Sequence, residues 1–268
     1  MTSGRIGAAL LAAILLSTGC FHIPSPYGIV DRAVGRSVDS AADRAGQRMG
    51  DRIAAQYNPM MSQMYMQMVF AMAFGSGGYA VGQGGYKAGE YTRWTIPNDS
   101  KDGKEASLER AYLFNDRDGN PWWKVKWVLD PADAAKSTLI VEALFEKGTW
   151  KLLRERVKMP NEAEGKEVPV DEATYYQPPR QLTKQSLEGG TVGVEKVSVP
   201  AGSFTARHVS YGDVNGNVDF WLTDSVPGGV VKYGHGAKGA GADDDTRNWQ
   251  MLLVAYGKGT SSELGIKP

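Results

Sequence analysis

Residues 111–129 read Ala111-Tyr-Leu-Phe-Asn115-Asp-Arg-Asp-Gly-Asn-Pro121-Trp-Trp-Lys-Val-Lys-Trp127-Val-Leu129. Trp123, Val125 and Trp127 alternate with Lys124 and Lys126, the two-residue period of a strand that turns one face to a core. Between the arms, Asp116-Arg-Asp-Gly-Asn-Pro121 gathers the residues that reverse a chain, so 111–115 and 122–129 are predicted to form an antiparallel hairpin. The same grammar recurs on both sides. A strand is predicted at 90–96, and two more at 138–145 and 150–157 flank the turn Glu146-Lys-Gly-Thr149. Further strands are predicted at 190–199, 204–211, 218–223, 229–233 and 249–256. Residues 160–185 are polar and contain proline, which predicts loops with at most a short helix at 171–176. Residues 234–246, with Asp243-Asp-Asp245, are predicted to be a mobile loop. Roughly ten short strands joined by local turns make a mainly antiparallel meander, closing into a barrel or a strongly curved half-barrel.

Upstream of this β region the composition changes: between Ile53 and Tyr86 there is no charged residue. Asn58-Pro59 is a good helix cap and first-turn pair. Met60, Met64, Met68 and Met72 then recur four apart, so a helix would carry them as one slowly drifting stripe. Glycines follow at 75, 78, 82, 85 and 89. If helical, they form a continuous small-residue face suited to close helix packing; if not, they form a flexible linker. Residues 58–89 admit three readings. Residues 59–81 are long enough to cross a bilayer core of about 30 Å or to lie on its surface. Alternatively, the soft methionine side chains make a core or partner-facing surface, through which copies of the chain could associate. Finally, Met64-Tyr-Met66-Gln-Met68 offers alternating thioethers, soft ligands that suit Cu(I). Residues 29–56 are predicted to form a slender amphipathic helix, with Val30, Val34, Val38, Ala41, Ala45, Met49 and Ile53 at spacings of three and four. Pro24 and Pro26 make the stretch before it an extended tether.

Composition bounds the chemistry. Thirty basic residues face thirty acidic ones, and a chain without basic excess has no means of neutralising a phosphate backbone, which argues against nucleic acid as partner. Cys20 is the only cysteine. It closes Ile6-Gly-Ala-Ala-Leu-Leu-Ala-Ala-Ile-Leu-Leu-Ser-Thr-Gly-Cys20, which resembles a bacterial lipoprotein signal peptide ending in its lipobox. Arg5 supplies the positive start, and the apolar run is of signal-peptide length, too short for a permanent span. Ser17 stands where that family usually has Leu. The resemblance implies removal of residues 1–19 and a triacylated Cys20, which would anchor firmly. Because Phe21 follows rather than Asp, it also implies the outer membrane. With Cys20 modified no thiol remains for disulfides, thiolate metal sites or nucleophilic catalysis.

Val199-Pro-Ala-Gly-Ser-Phe204-Thr-Ala-Arg-His-Val209 and Phe220-Trp-Leu-Thr-Asp-Ser-Val-Pro-Gly-Gly-Val-Val-Lys-Tyr233 resemble the closing strands of exported lipoprotein-localisation (LolA/LolB-like) half-barrels. Members of that class bind acyl chains or lipoproteins in the concavity of the sheet. The resemblance implies that Trp123, Val125, Trp127, Leu139, Val141 and Phe145 line such a concavity; as ordinary strand residues they would fill a core. No catalytic constellation stands out, since His208 sits within a strand, His235 in a glycine loop, and Gly75-Ser-Gly lacks the strand-to-helix context of a nucleophile elbow.

The expectation is an α+β chain: signal peptide (1–19), anchor, tether and amphipathic helix (20–57), uncharged Met/Gly-rich segment (58–89) and antiparallel β domain (90–268). It is expected to be a non-enzymatic outer-membrane lipoprotein without cofactor. Its β domain would bind a lipid, an acyl chain or an envelope protein, with Met60, Met64, Met68 and Met72 contacting membrane or partner. The alternatives are a structural subunit that oligomerises through 58–89 and a periplasmic Cu(I) binder.

Overall fold

The computed structural model describes residues 59–268 except 77, 83, 97–104, 161, 171–175, 213–215 and 238–247. Cys20, the tether, the 29–56 helix and Asp243-Asp-Asp245 lie outside these residues. Eleven strands form one antiparallel sheet: β2 (Glu90–Ile96), β3 (Ala106–Asn115), β4 (Pro121–Val128), β5 (Thr138–Phe145), β6 (Leu152–Lys158), β7 (Lys166–Val168), β9 (Thr191–Val199), β10 (Gly202–Gly212), β11 (Gly216–Leu222), β12 (Val230–Ala237) and β13 (Asn248–Lys258). A separate two-residue pair, β1 (Tyr79–Ala80) and β8 (Arg180–Gln181), runs parallel.

The hairpin around Asp116–Pro121 is β3–β4, in which Leu108 faces Trp127, Arg110 faces Val125 and Tyr112 faces Trp123. Its turn is built by Asp116, whose Oδ1 accepts the N–H groups of Asp118 and Asn120 at 2.9 and 2.8 Å. The sheet order is β7-β6-β5-β4-β3-β2-β13-β12-β11-β10-β9. A simple meander would leave β13 at an edge beside β12. Here it pairs with β2 as well, from Leu252↔Thr95 to Lys258↔Glu90, so two meanders are joined along β2 and β13, and the edges are β7 and β9. The sheet is curved and does not close. The curl brings distant strands together at the β9 end. There the N–H of Ala201, in the turn between β9 and β10, donates to the carbonyl of Leu253 on β13 at 3.0 Å, across the three intervening strands.

The step from β7 to β9 carries the chain from one edge to the other. The described helix within it is Lys184–Gly189; the short helix expected at 171–176 falls, apart from Tyr176, outside the described residues. Pro178 and Pro179 keep the approach extended, and Thr183 caps the helix by accepting the N–H of Ser186 at 3.0 Å.

Helix α1 (Pro59–Phe74) lies inside the curve: its C-terminal residues reach both β4–β5 and the face of β11–β13, strands far apart in the sheet. Its buried stripe is Tyr65, Met66, Val69, Phe70, Ala73 and Phe74. Met68 and Met72 are half-buried at the margin and Gln67 is exposed. The helix stops at Gly75, whose φ of +67° is the left-handed conformation that terminates helices, and whose N–H still reaches the Ala71 carbonyl at 3.0 Å. The glycine run is therefore not a helical face. Gly82 also has a left-handed φ of +70°, and the described residues between Gly75 and Gly89 form turns and the short strand β1 instead of a helix. Of the three readings, that of 59–81 as a membrane-spanning helix is corrected accordingly: among the described residues no helix is long and apolar enough to cross a membrane.

A candidate ligand-binding cleft

Trp123, Val125, Trp127, Leu139, Val141 and Phe145 are all buried and share one core cluster with the inward face of α1. Alternation puts the first three on one face of β4 and the last three on the same face of β5. The space they line is occupied by the chain's own helix. Phe74 packs edge-on to Trp123 at a ring separation of 6.0 Å and to Phe145 at 4.9 Å, and Phe70 stands perpendicular to Phe145 at 6.3 Å. Tyr176, from the β7–β9 crossing, closes the cluster against both phenylalanines. Its hydroxyl donates to the Trp150 carbonyl at 2.6 Å, and burial pushes its ionisation well above the ordinary phenol range.

Beside this packed half lies an apolar cleft of about 70 Å³, between the end of α1 and the face of β2, β3 and β11–β13. Ala71, Met72 and Val81 form one wall; Trp94, Phe220, Val230, Tyr233 and Met251 form the other. Trp94 is held by its indole N–H, which donates to the Val230 carbonyl at 3.2 Å. The volume is well below the roughly 300 Å³ at which pockets for drug-sized ligands begin, so in this conformation the cleft admits the end of a ligand and not a whole acyl chain.

Arg110 forms the cleft's polar corner. It is 4% exposed and projects from the same face of β3 as Leu108 and Tyr112. Nη1 donates to the Ala73 carbonyl at 2.7 Å, near the negative end of the α1 dipole. Nη2 donates to the Gly82 carbonyl and, at 3.2 Å, to the Tyr86 hydroxyl, which Nε also reaches at 3.3 Å. The guanidinium carbon lies 5.3 Å from the ring centres of both Tyr86 and Trp94. The approach that brings Gly82 within reach depends on a glycine pair, since a Cβ on Gly82 would lie 2.8 Å from the Gly228 carbonyl oxygen and a Cβ on Gly228 would collide with the Gly82 carbonyl oxygen.

The methionine stripe divides. The side chains of Met60 and Met64 lie outside the described residues; Met68 is half-buried against the core and Met72 lines the cleft. Met66 is sealed in the core at 2% exposure, so it does not share an open side with Met68 for a thioether site. His208 is a surface-sheet residue, stacked on Trp221 at 4.5 Å with Nε2 2.8 Å from an Asp219 oxygen. Ser76 is buried and its hydroxyl accepts the Gln177 N–H at 2.9 Å.

Sequence reasoning did not single out Arg110, Trp94, Val230 or Met251. The available signal was the register Leu108-x-Arg110-x-Tyr112, a cation in the apolar phase of a strand. Starting that strand at 111 hid it.

Compared with known proteins, the chain matches no protein-family model and no curated protein sequence. A solved structure similar to it is that of a DUF1329 family protein from Desulfovibrio piger ATCC 29098, with 10% sequence identity and a TM-score of 0.30, covering 66% of this chain and 87% of that one.

Proposed function

We propose that the chain is a lipid-anchored protein of the bacterial outer membrane that binds a hydrophobic ligand, without catalysing a reaction, on the concave side of its sheet. The observation that carries this reading is the apolar cleft between α1 and strands β2, β3 and β11–β13. An open curved sheet with an apolar concave face suits an acyl chain, and the part of that face beside β4–β5 is covered by a helix rather than by another strand. The signal-like segment ending at Cys20 supports the address and the anchor.

The test is displacement of a fluorescent acyl probe from the detergent-extracted full-length protein. Val81→Trp and Met72→Trp place bulk at the half-buried rim of the cleft, and each is expected to abolish probe binding while leaving the melting temperature close to wild type. Unchanged affinity in both folded variants refutes the cleft as the site. The anchor is tested separately. Cys20→Ser is expected to move the protein entirely to the aqueous fraction, and retention at the membrane would show that lipid on Cys20 is not what holds it.

A further inference from the structure

We infer that the ligand carries a carboxylate head, and that Arg110 is its counter-ion. The inference rests on the cleft being the ligand site and specifies what enters it first. Two cations are buried among the described residues, Lys124 and Arg110, and the fold treats them differently. Lys124 has carboxylates from Glu263 at 2.8 Å and Glu109 at 3.4 Å. Arg110 has no carboxylate within ion-pair distance among the described residues. Its environment is two carbonyls, one hydroxyl and two aromatic faces.

Such neutral acceptors offset part of the desolvation cost of a guanidinium, but they supply no opposite charge in a setting where charge is least screened. A guanidinium has five N–H donors. One on Nε goes to Tyr86, two on Nη2 go to Gly82 and Tyr86, and one on Nη1 goes to Ala73. Among the described residues the second N–H of Nη1 has no acceptor, and the side chain lines the cleft. A carboxylate in the cleft accepts a hydrogen bond from that N–H and balances the guanidinium charge, while its alkyl chain runs along Val230, Phe220 and Met251. The small volume fits this order of events: the head group is what the present cleft accommodates, and displacement of the flexible Met72 side chain makes room for the chain. The ligand class is therefore a long-chain carboxylate rather than a neutral lipid.

Competition for the acyl probe by dodecanoate, methyl dodecanoate and acetate tests this on the full-length protein. The expected result is dodecanoate binding at least about tenfold more tightly than its methyl ester, as one charge-assisted hydrogen bond provides, with acetate ineffective. Arg110→Gln is expected to lower dodecanoate affinity to that of the ester, and Arg110→Lys to keep part of the preference. Equal affinity of acid and ester in the wild type overturns the role of Arg110 and leaves the cleft reading standing. Competition by acetate as strong as by dodecanoate reduces the site to an anion site and overturns the long-chain assignment. Failure of both acid and ester to compete overturns this inference and the cleft reading together. Should Arg110→Gln not fold, the wild-type ratio of acid to ester decides.

Discussion

The carboxylate of Glu142 accepts a hydrogen bond from the Ser262 hydroxyl at 2.6 Å, although 120 residues separate the two in sequence. Its other oxygen accepts the backbone N–H groups of Glu263 and Leu264 at 2.6 and 3.2 Å. Glu142 is fully buried on the sheet face opposite α1, and these donors fasten the C-terminal residues 259–268 across that face. Glu142→Ala leaves the donors without an acceptor and is expected to cost about 2 to 4 kcal/mol. Urea unfolding should show a lower midpoint at constant slope. In a double-mutant cycle Ser262→Ala should add little once Glu142 is gone; full additivity would mean that the two do not act together.

The same strap sets a pH dependence. Burial raises the pKa of the Glu263 carboxyl, but the hydrogen bonds and charges of Lys124 and Lys126 outweigh it and hold the group below its ordinary value of 4.5. A folded pKa below the unfolded one contributes stability that is complete above the unfolded value and is lost as pH falls through the folded one. Because Glu263 is about one-third exposed, the contribution is expected to stay below about 1 kcal/mol. The stability difference between wild type and Glu263→Gln should therefore be constant from neutral pH down to about 5 and vanish in stronger acid. A difference that grows on acidification contradicts the assignment.

The face that α1 turns to the core is testable by comparing two truncations. Phe74 is 1% exposed and touches Trp123, Phe145 and Trp150, so Phe74→Ala is expected to cost about 3 to 5 kcal/mol. Met68 is half-buried, and Met68→Ala should cost clearly less, on the order of 1 kcal/mol. Equal losses in thermal melts would indicate a different rotation of the helix.

Gly82→Ala meets two obstacles. Its φ of +70° is unfavourable for a side chain, and the new Cβ would lie 2.5 Å from a Val230 methyl and 2.8 Å from the Gly228 carbonyl oxygen. A loss of about 2 kcal/mol or more is expected, together with weaker acyl-probe binding, because the Gly82 carbonyl positions Arg110. Gly84→Ala is the control: nothing lies within 4 Å of its Cβ position, and the effect should stay within about 0.5 kcal/mol. Similar losses at both positions would remove the close approach to Gly228 as the cause.

Strand identity was legible because it is local. Alternation in Trp123-Lys-Val-Lys-Trp127 and the Asp116–Asn120 turn chemistry suffice for the β3–β4 hairpin, and the predicted bounds of β2 and β5 coincide with Glu90–Ile96 and Thr138–Phe145. The face of α1 was not legible. Apolar residues surround that helix on nearly every side, and the four-residue methionine period, read as a membrane or partner contact, does not say which residues the core takes; packing selected Tyr65, Met66, Val69, Phe70, Ala73 and Phe74.

By itself the sequence determined an antiparallel β chain with no charged residue between Ile53 and Tyr86 and a single cysteine behind a signal-like run. Those properties follow from side-chain period, turn preference and composition, which neighbours in sequence decide. Only the tertiary structure decided that β13 enters between β2 and β12, that α1 occupies the concavity, and that Arg110 stands at the corner of a cleft beside Ala73 and Gly82. Each depends on contacts between segments distant in the chain, where curvature, available volume and the cost of burying charge choose among arrangements that local patterns leave equal.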